Sequence, residues 1–366
     1  MNGLKTFLLV GALAVVSTSA LPQSRNSTQD HAPGAAEPVA GTRLDGTKAT
    51  TQRTATIQEE QARKFRSAPP KLDASKFDVM TWSAGGQVER SPAPGNIVEA
   101  IKAMAPVAPS AAPAKRSDPV KLDADAIEPI STGSGQQNRL MVGPDERVKI
   151  DKTTQYPFSA FVHLISEFPD SSTTGCSGTV VGLHHVLTAA NCVFDWKMNA
   201  WPKSIAVYPG RNGDDGPFGG YYVVGLSVAS GFSDAPKGTY DFDRMLYDLA
   251  LLRFEEPIGD ATGWLAFGYD DALPVFVGNL IGYPTDKDYT LWRSSCEIDP
   301  KQIEPNVLAH QCDVKGTGGA AIYQYTKDTG ARTIYGVQVA DSADTNYAVR
   351  ITGPWFDWLV ASRDGK

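Results

Sequence analysis

Residues 186–193 read VLTAANCV. Val186 and Leu187 close a short apolar run, Thr188-Ala189-Ala190 makes a small-residue turn, and an amide, Asn191, stands directly before Cys192. Outward from this octapeptide the same texture repeats. SAFVHLI, GTVVGL, SIAVYPG, YYVVGLSVA, DLALLRF, NLIGYP, AAIYQY and TIYGVQVA alternate with Gly, Pro, Asn and Asp turns from Met141 onward. Short runs at this spacing leave no room for βαβ crossovers and predict an all-β sandwich or barrel. The end, GPWFDWLVASR, changes period: Trp355, Phe356 and Leu359 fall at helical spacing and predict one closing helix docked by aromatics.

The 366 residues allow two or three domains. A formal net charge of −7 excludes a general nucleic-acid or anionic-membrane surface. Residues 1–20, MNGLKTFLLVGALAVVSTSA, have the layout of a secretory signal peptide: Lys5, then the apolar stretch 7–16, then Thr18 and Ala20 as small residues. The apolar stretch is too short for a comfortable membrane span, and no later segment approaches that length. The expectation is a secreted, extracellular chain, a compartment in which disulfides persist.

Residues 21–140 are rich in Ala, Pro and Ser, as in HAPGAAEPVAG and APVAPSAAPAKRSDP, and read as a largely disordered pro-segment that buries little. One piece, GNIVEAIKAMAPVA, puts Ile97, Val98, Ile101 and Met104 on one helical face. The four cysteines fall in two pairs, 176/192 and 296/312, and spacing alone leaves three pairings open. No His/Cys/Asp/Glu cluster has metal-ligand spacing and no glycine run follows a nucleotide-binding pattern, so no metal or other cofactor is expected.

Several blocks in family order resemble the trypsin-like serine proteases and, within them, the glutamyl-endopeptidase branch. MVGPDERVKIDKTTQYPFSAFVHL is similar to the mature start of that branch, and CSGTVVGLHHVLTAANCVFD to the block around the catalytic histidine. VYPGRNGDDGPFG and EEPIGDATGWLAF resemble turns typical of the branch, and YDLALLRF the block of the catalytic aspartate. CDVKGTGGAAIY resembles the nucleophile block, and GVQVADSADTNYAVRI the specificity block. The resemblance covers residues 141–366. It implies two six-stranded antiparallel β-barrels, about 141–255 and 256–366, with a cleft between them. It also implies the disulfides Cys176–Cys192 and Cys296–Cys312, and a mature start made by a cut after Arg139 or Leu140.

The machinery does not carry over residue by residue. Peptide hydrolysis on this scaffold needs a hydroxyl nucleophile, an imidazole base and an orienting carboxylate, with an oxyanion hole beside them. Asp248 matches the carboxylate. The histidine position holds Asn191, whose amide neither takes nor gives a proton near neutral pH. His31, His163, His184, His185 and His310 map outside the cleft. The serine falls on Thr317 or Gly318, depending on one gap, and Gly316 and Gly319 belong to the oxyanion turn. In the specificity block the acid-binding histidine is replaced by Gln338, so no preference for glutamate is expected. Loss of a triad serine or histidine costs about 10⁶ in turnover, and here both are substituted. The resemblance therefore implies an inactive homologue that holds a peptide or protein ligand, such as a protease inhibitor, in its cleft. The alternative is an unusual endopeptidase with Thr317 as nucleophile and a base supplied by the substrate.

Overall fold

The structure, a computed structural model, describes residues 23–27, 29–33, 42–44, 47–52, 54–67, 70–104, 122–130, 145–300, 306–343 and 345–365. The signal-like stretch, the junction at Arg139 and Leu140, and the start at Met141-Val142-Gly143 lie outside them.

The apolar runs form strands that curl into two barrels, as the resemblance implies. In the first, six antiparallel strands follow the order Ser204–Pro209, Phe161–Glu167, Thr173–Gly182, His185–Thr188, Ala250–Arg253, Gly225–Ala229. The chain from 221 to 229 closes it: Tyr221 and Tyr222 pair with Val207 and Ala206, and four residues on, Leu226 pairs with Leu252. The second barrel orders its strands Trp292–Ile298, Phe276–Gly282, Ala321–Thr326, Ala331–Asp341, Asn346–Arg350, Val307–His310.

Both disulfides pair as the resemblance implies. Cys176–Cys192 ties the long strand Thr173–Gly182 to the turn that carries Asn191. Cys296–Cys312 joins the first strand of the second barrel to the chain just beyond its last. Closing a loop of this length is worth about 3 kcal/mol in the chain-entropy view. The final helix, Gly353–Asp364, buries Trp355, Trp358 and Leu359 fully and Phe356 almost so.

Residues 23–130 behave differently from their composition. Ser24–Asn26 pairs with Ala266–Asp270 of the second sheet, and a hairpin, Val79–Ser83 and Val88–Ser91, extends the first barrel along Gly225–Ala229. Phe65, Phe77, Trp82 and Ile97 each enter the main core at 3% exposure or less. Trp358 donates its indole N–H to Phe77 O at 3.1 Å. The expectation of a segment that buries little is corrected here: a few isolated aromatics, each seated in a core built by later strands, hold the described parts in place. The helix Ile97–Ala103 also differs in detail, because Ile97 is buried and Ile101 and Met104 pack against the core, whereas Val98 faces solvent at 44% exposure.

Glu128 shows how firmly this segment is held. Its carboxylate lies inside the second barrel at 1% exposure and receives two bonds from Arg332, Nε at 2.7 Å and Nη2 at 2.8 Å. Its N–H donates to Asn279 Oδ1 at 2.8 Å, and its carbonyl accepts from Arg293. A buried carboxylate survives only when it is paired in this way.

Candidate active site

Asn191 sits in the one-turn helix Ala190–Cys192, and Asp248 just before the strand Ala250–Arg253. The antiparallel pairing of His185–Thr188 with Ala250–Arg253 brings the two together. Asp248 is fully buried and accepts three hydrogen bonds. Asn191 backbone N–H reaches Oδ1 at 2.7 Å, Asn191 Nδ2 reaches Oδ2 at 2.7 Å, and the Tyr240 hydroxyl reaches Oδ2 at 2.5 Å. The other Nδ2 proton goes to Val339 O at 3.1 Å. Burial pushes the Asp248 carboxyl up to about 6, against the pull of the Tyr240 and Asn191 donors. The amide thus fills the orienting role toward the carboxylate that an imidazole N–H would have, and offers no base.

The glycine-rich turn lies beside it. Gly318 O accepts from Ser177 N–H at 2.8 Å, and Ser177 O accepts the Thr188 hydroxyl at 2.7 Å, two steps that connect the 316–319 turn to the Asn191 turn. Gly319 has φ +84, and a Cβ there would lie 2.1 Å from Ser177 O, so only glycine fits. Thr317 is 2% exposed and its hydroxyl donates to Val314 O at 2.7 Å. Its N–H also bonds Val314 O, at 2.7 Å, and the N–H groups of Gly319 and Ala320 bond Gln338 O and Thr317 O. The Thr317 hydroxyl is turned into its own loop, and these three donors are already engaged. Gly316 has φ +71 and abuts Thr285.

Gln338 is buried behind this turn, with its Nε2 on Ala340 O at 2.8 Å and its Oε1 2.7 Å from His310 Nε2. Cys312 N–H donates to His310 Nδ1 at 3.3 Å, which places the ring proton on Nε2, directed at the Gln338 oxygen. Burial holds His310 down at about 4, so it is neutral at physiological pH. The sequence places His310 outside the cleft, yet the strand pairing brings it against the specificity-pocket position. Tyr240 and His310 are the two site residues that sequence reasoning missed. Tyr240, eight residues before Asp248, gave no local signal. His310 was masked by its neighbouring cystine.

Among the described residues, one group of possible metal ligands occurs, Cys296, His310 and Cys312. Both sulfurs are joined in the disulfide and supply no thiolate.

Above Asn191, the groove between the barrels holds part of the chain itself. Thr51–Gln52 pairs with Thr174 and Gly175 on the first barrel, and Ala55–Thr56 with Ala340 and Asp341 on the second. Thr51, Thr54 and Ala55 line, together with Asn191, Asp195 and Trp196, a cavity of about 430 Å³.

Two closed antiparallel barrels, with an Asp–Asn pair on one and a glycine turn on the other, define a trypsin-like serine protease domain. The trypsin family profile matches residues 148–298. The chain is 29% identical over 228 residues to the extracellular metalloprotease of Bacillus subtilis, covering 60% of this chain and 69% of that protein. It is 31% identical over 164 residues to the glutamyl endopeptidase of Bacillus licheniformis, covering 44% of this chain and 47% of that protein. A solved Glu endopeptidase in complex with MPD superposes with a TM-score of 0.52 at 21% identity, covering 61% of this chain and 99% of that one. The chain is a trypsin-like serine protease homologue, related in sequence and structure to the glutamyl endopeptidases.

Proposed function

We propose that the protein is a secreted protease homologue without hydrolytic activity, which acts by holding an extended peptide or protein segment in the cleft between its barrels. The observation that carries this reading is Asn191: both protons of its amide are bound, to Asp248 and Val339, and among the described residues no proton acceptor takes the place of an imidazole. The turn supports it. The backbone contact of Gly318 with Ser177 favours Gly318 as the nucleophile position, and the Thr317 hydroxyl is committed to Val314 O. The alternative endopeptidase with Thr317 as nucleophile would need that hydroxyl to turn outward. Gln338, bonded to His310, offers no cation for a glutamate side chain, so the ligand is selected by strand addition and shape. Two disulfides suit an oxidising, extracellular compartment. Among the described residues no helix is long and apolar enough to cross a membrane. A cut near Arg139 or Leu140, if it occurs, generates no activity.

The test compares the wild-type chain with an Asn191→His, Gly318→Ser double variant against a broad peptide library. The expected result is a silent wild type and measurable cleavage by the variant. Cleavage by the wild type that Thr317→Ala abolishes would refute the proposal.

A further inference from the structure

We infer that the described residues 47–52 and 54–57 are an intramolecular ligand of the cleft, and that the cleft takes an outside peptide only when this strap leaves it. The inference rests on the proposed peptide-holding role and specifies how that role is regulated. The strap is seated on both walls. On the first barrel, Arg211 Nη1 donates to Thr47 O at 3.0 Å, Thr50 N–H to Thr173 Oγ1 at 2.8 Å, and the Thr50 hydroxyl to Thr173 O at 2.9 Å. Across the groove, Ile57 N–H donates to Asp341 O at 2.7 Å, and the Thr56 hydroxyl to Asp341 Oδ1 at 2.9 Å. Ala55 and Ile57 are buried at 5% and 2% exposure within the main core, with Thr56 exposed between them. Between the two walls Thr51, Thr54 and Ala55 line the same cavity as Asn191.

Two features make the strap displaceable. Its pairing is parallel on both walls, the less stable sense per residue, so a peptide lying antiparallel on the same strands forms the stronger ladder. Each pairing is also only two residues long. The seat defines the incoming peptide as well: an extended segment that, running antiparallel to the strap, presents an aliphatic residue, then any residue, then a small one, to match the sites of Ile57 and Ala55. A tethered segment acts at an effective concentration of about 1 mM. With an intrinsic dissociation constant of about 100 μM for its seat, it weakens the apparent binding of any outside peptide by about tenfold.

The experiment uses the full chain and a fluorescent peptide of residues 47–58, TKATTQRTATIQ. Hydrogen exchange of residues 50–57 and peptide anisotropy are measured on the wild type, on Ile57→Asp, and on a Thr56→Cys, Asp341→Cys pair that locks the strap when oxidised. The expected result is slow exchange in the wild type and fast exchange in Ile57→Asp. Ile57→Asp, or the Thr56→Cys single variant, which cannot form the lock and leaves the native disulfides intact, should also bind the peptide at least tenfold more tightly than the oxidised pair. If Ile57→Asp does not fold, the oxidised pair and the Thr56→Cys single variant carry the comparison. Fast exchange of 50–57 in the wild type, or equal peptide binding in locked and open forms, overturns the strap. Slow exchange in the wild type with no peptide bound by any open form overturns the peptide-holding role instead, and leaves the strap as a structural element.

Discussion

Asn191→Ala tests whether the amide has become a structural cap for a buried acid. The substitution keeps the backbone N–H bond to Asp248 Oδ1 and removes the two bonds made by Nδ2. A hydrogen bond to a charged acceptor contributes about 1.5–3 kcal/mol, and the loss of a donor to the Val339 carbonyl about 1 kcal/mol. At pH 8, where Asp248 is ionised, the sum is about 3 kcal/mol. Near pH 5, below the value of about 6 at which burial places this carboxyl, the same bond joins neutral groups and the loss shrinks to about 2 kcal/mol. Without its Nδ2 donor the carboxyl titrates higher still, so the variant's stability falls more steeply than the wild type's as pH rises through 6. Urea unfolding at pH 5 and pH 8, with unchanged slope, reads the difference directly. By heat, the expected loss at pH 8 is about 4–5 °C. A loss below about 1 kcal/mol at pH 8, or one larger at pH 5 than at pH 8, would refute the capping role.

Three further outcomes are expected. His310 is held at about 4 in the fold against an ordinary 6.5, so its burial removes stability as pH falls from 6.5 towards 4, by about 3 kcal/mol at 1.36 kcal/mol per unit. Asp248, raised from 3.8 to about 6, acts with the opposite sign over nearly the same range. His310→Gln should therefore gain about 3 kcal/mol relative to the wild type between pH 7 and pH 4 in urea titrations, and a constant difference would contradict the assignment. Glu128→Ala removes two bonds from the partly buried Arg332, which keeps Asp30 at 3.3 Å, and should cost about 3 kcal/mol, seen as a thermal midpoint lower by about 5 °C. Gly319→Ala drives a methyl into Ser177 O and should prevent a native yield, whereas Gly330→Ala, also at positive φ but with open space around it, should cost only about 1–2 kcal/mol of backbone strain by urea unfolding.

Much of the architecture was legible because the strands of 145–365 are local apolar runs separated by turn residues, and because the octapeptide at 186–193 stands in a fixed order with the other blocks of the resemblance. The Asp248–Asn191 pair was legible too, as a carboxylate facing an amide donor. Thr317 and Gly318 stayed unresolved in the sequence because a one-residue gap can sit on either side of a glycine. The proposal of Gly318 rests on the hydrogen bonds of the turn, Ser177 to Gly318 and Thr317 to Val314, which no sequence pattern displays. Residues 23–130 escaped for a different reason. Phe65, Phe77 and Trp82 are sparse anchors in a polar, Ala/Pro-rich background, and their partners lie far along the chain: Trp82 pairs with Leu226 and Trp358 bonds Phe77. A window of a dozen residues sees the background and not the anchors.

The seating of Glu128, Trp82 and Phe77 bears on what a nick near residue 140 would do. The portion ahead of the nick would remain clasped to the portion behind it by the Glu128–Arg332 pair, the hairpin on Gly225–Ala229 and the aromatics in the core. Removing it would open holes the size of a tryptophan and two phenylalanines. Two polypeptides would then migrate as one particle until denatured, a heterodimer made from a single gene product, and deleting residues 1–140 would not reproduce the nicked state.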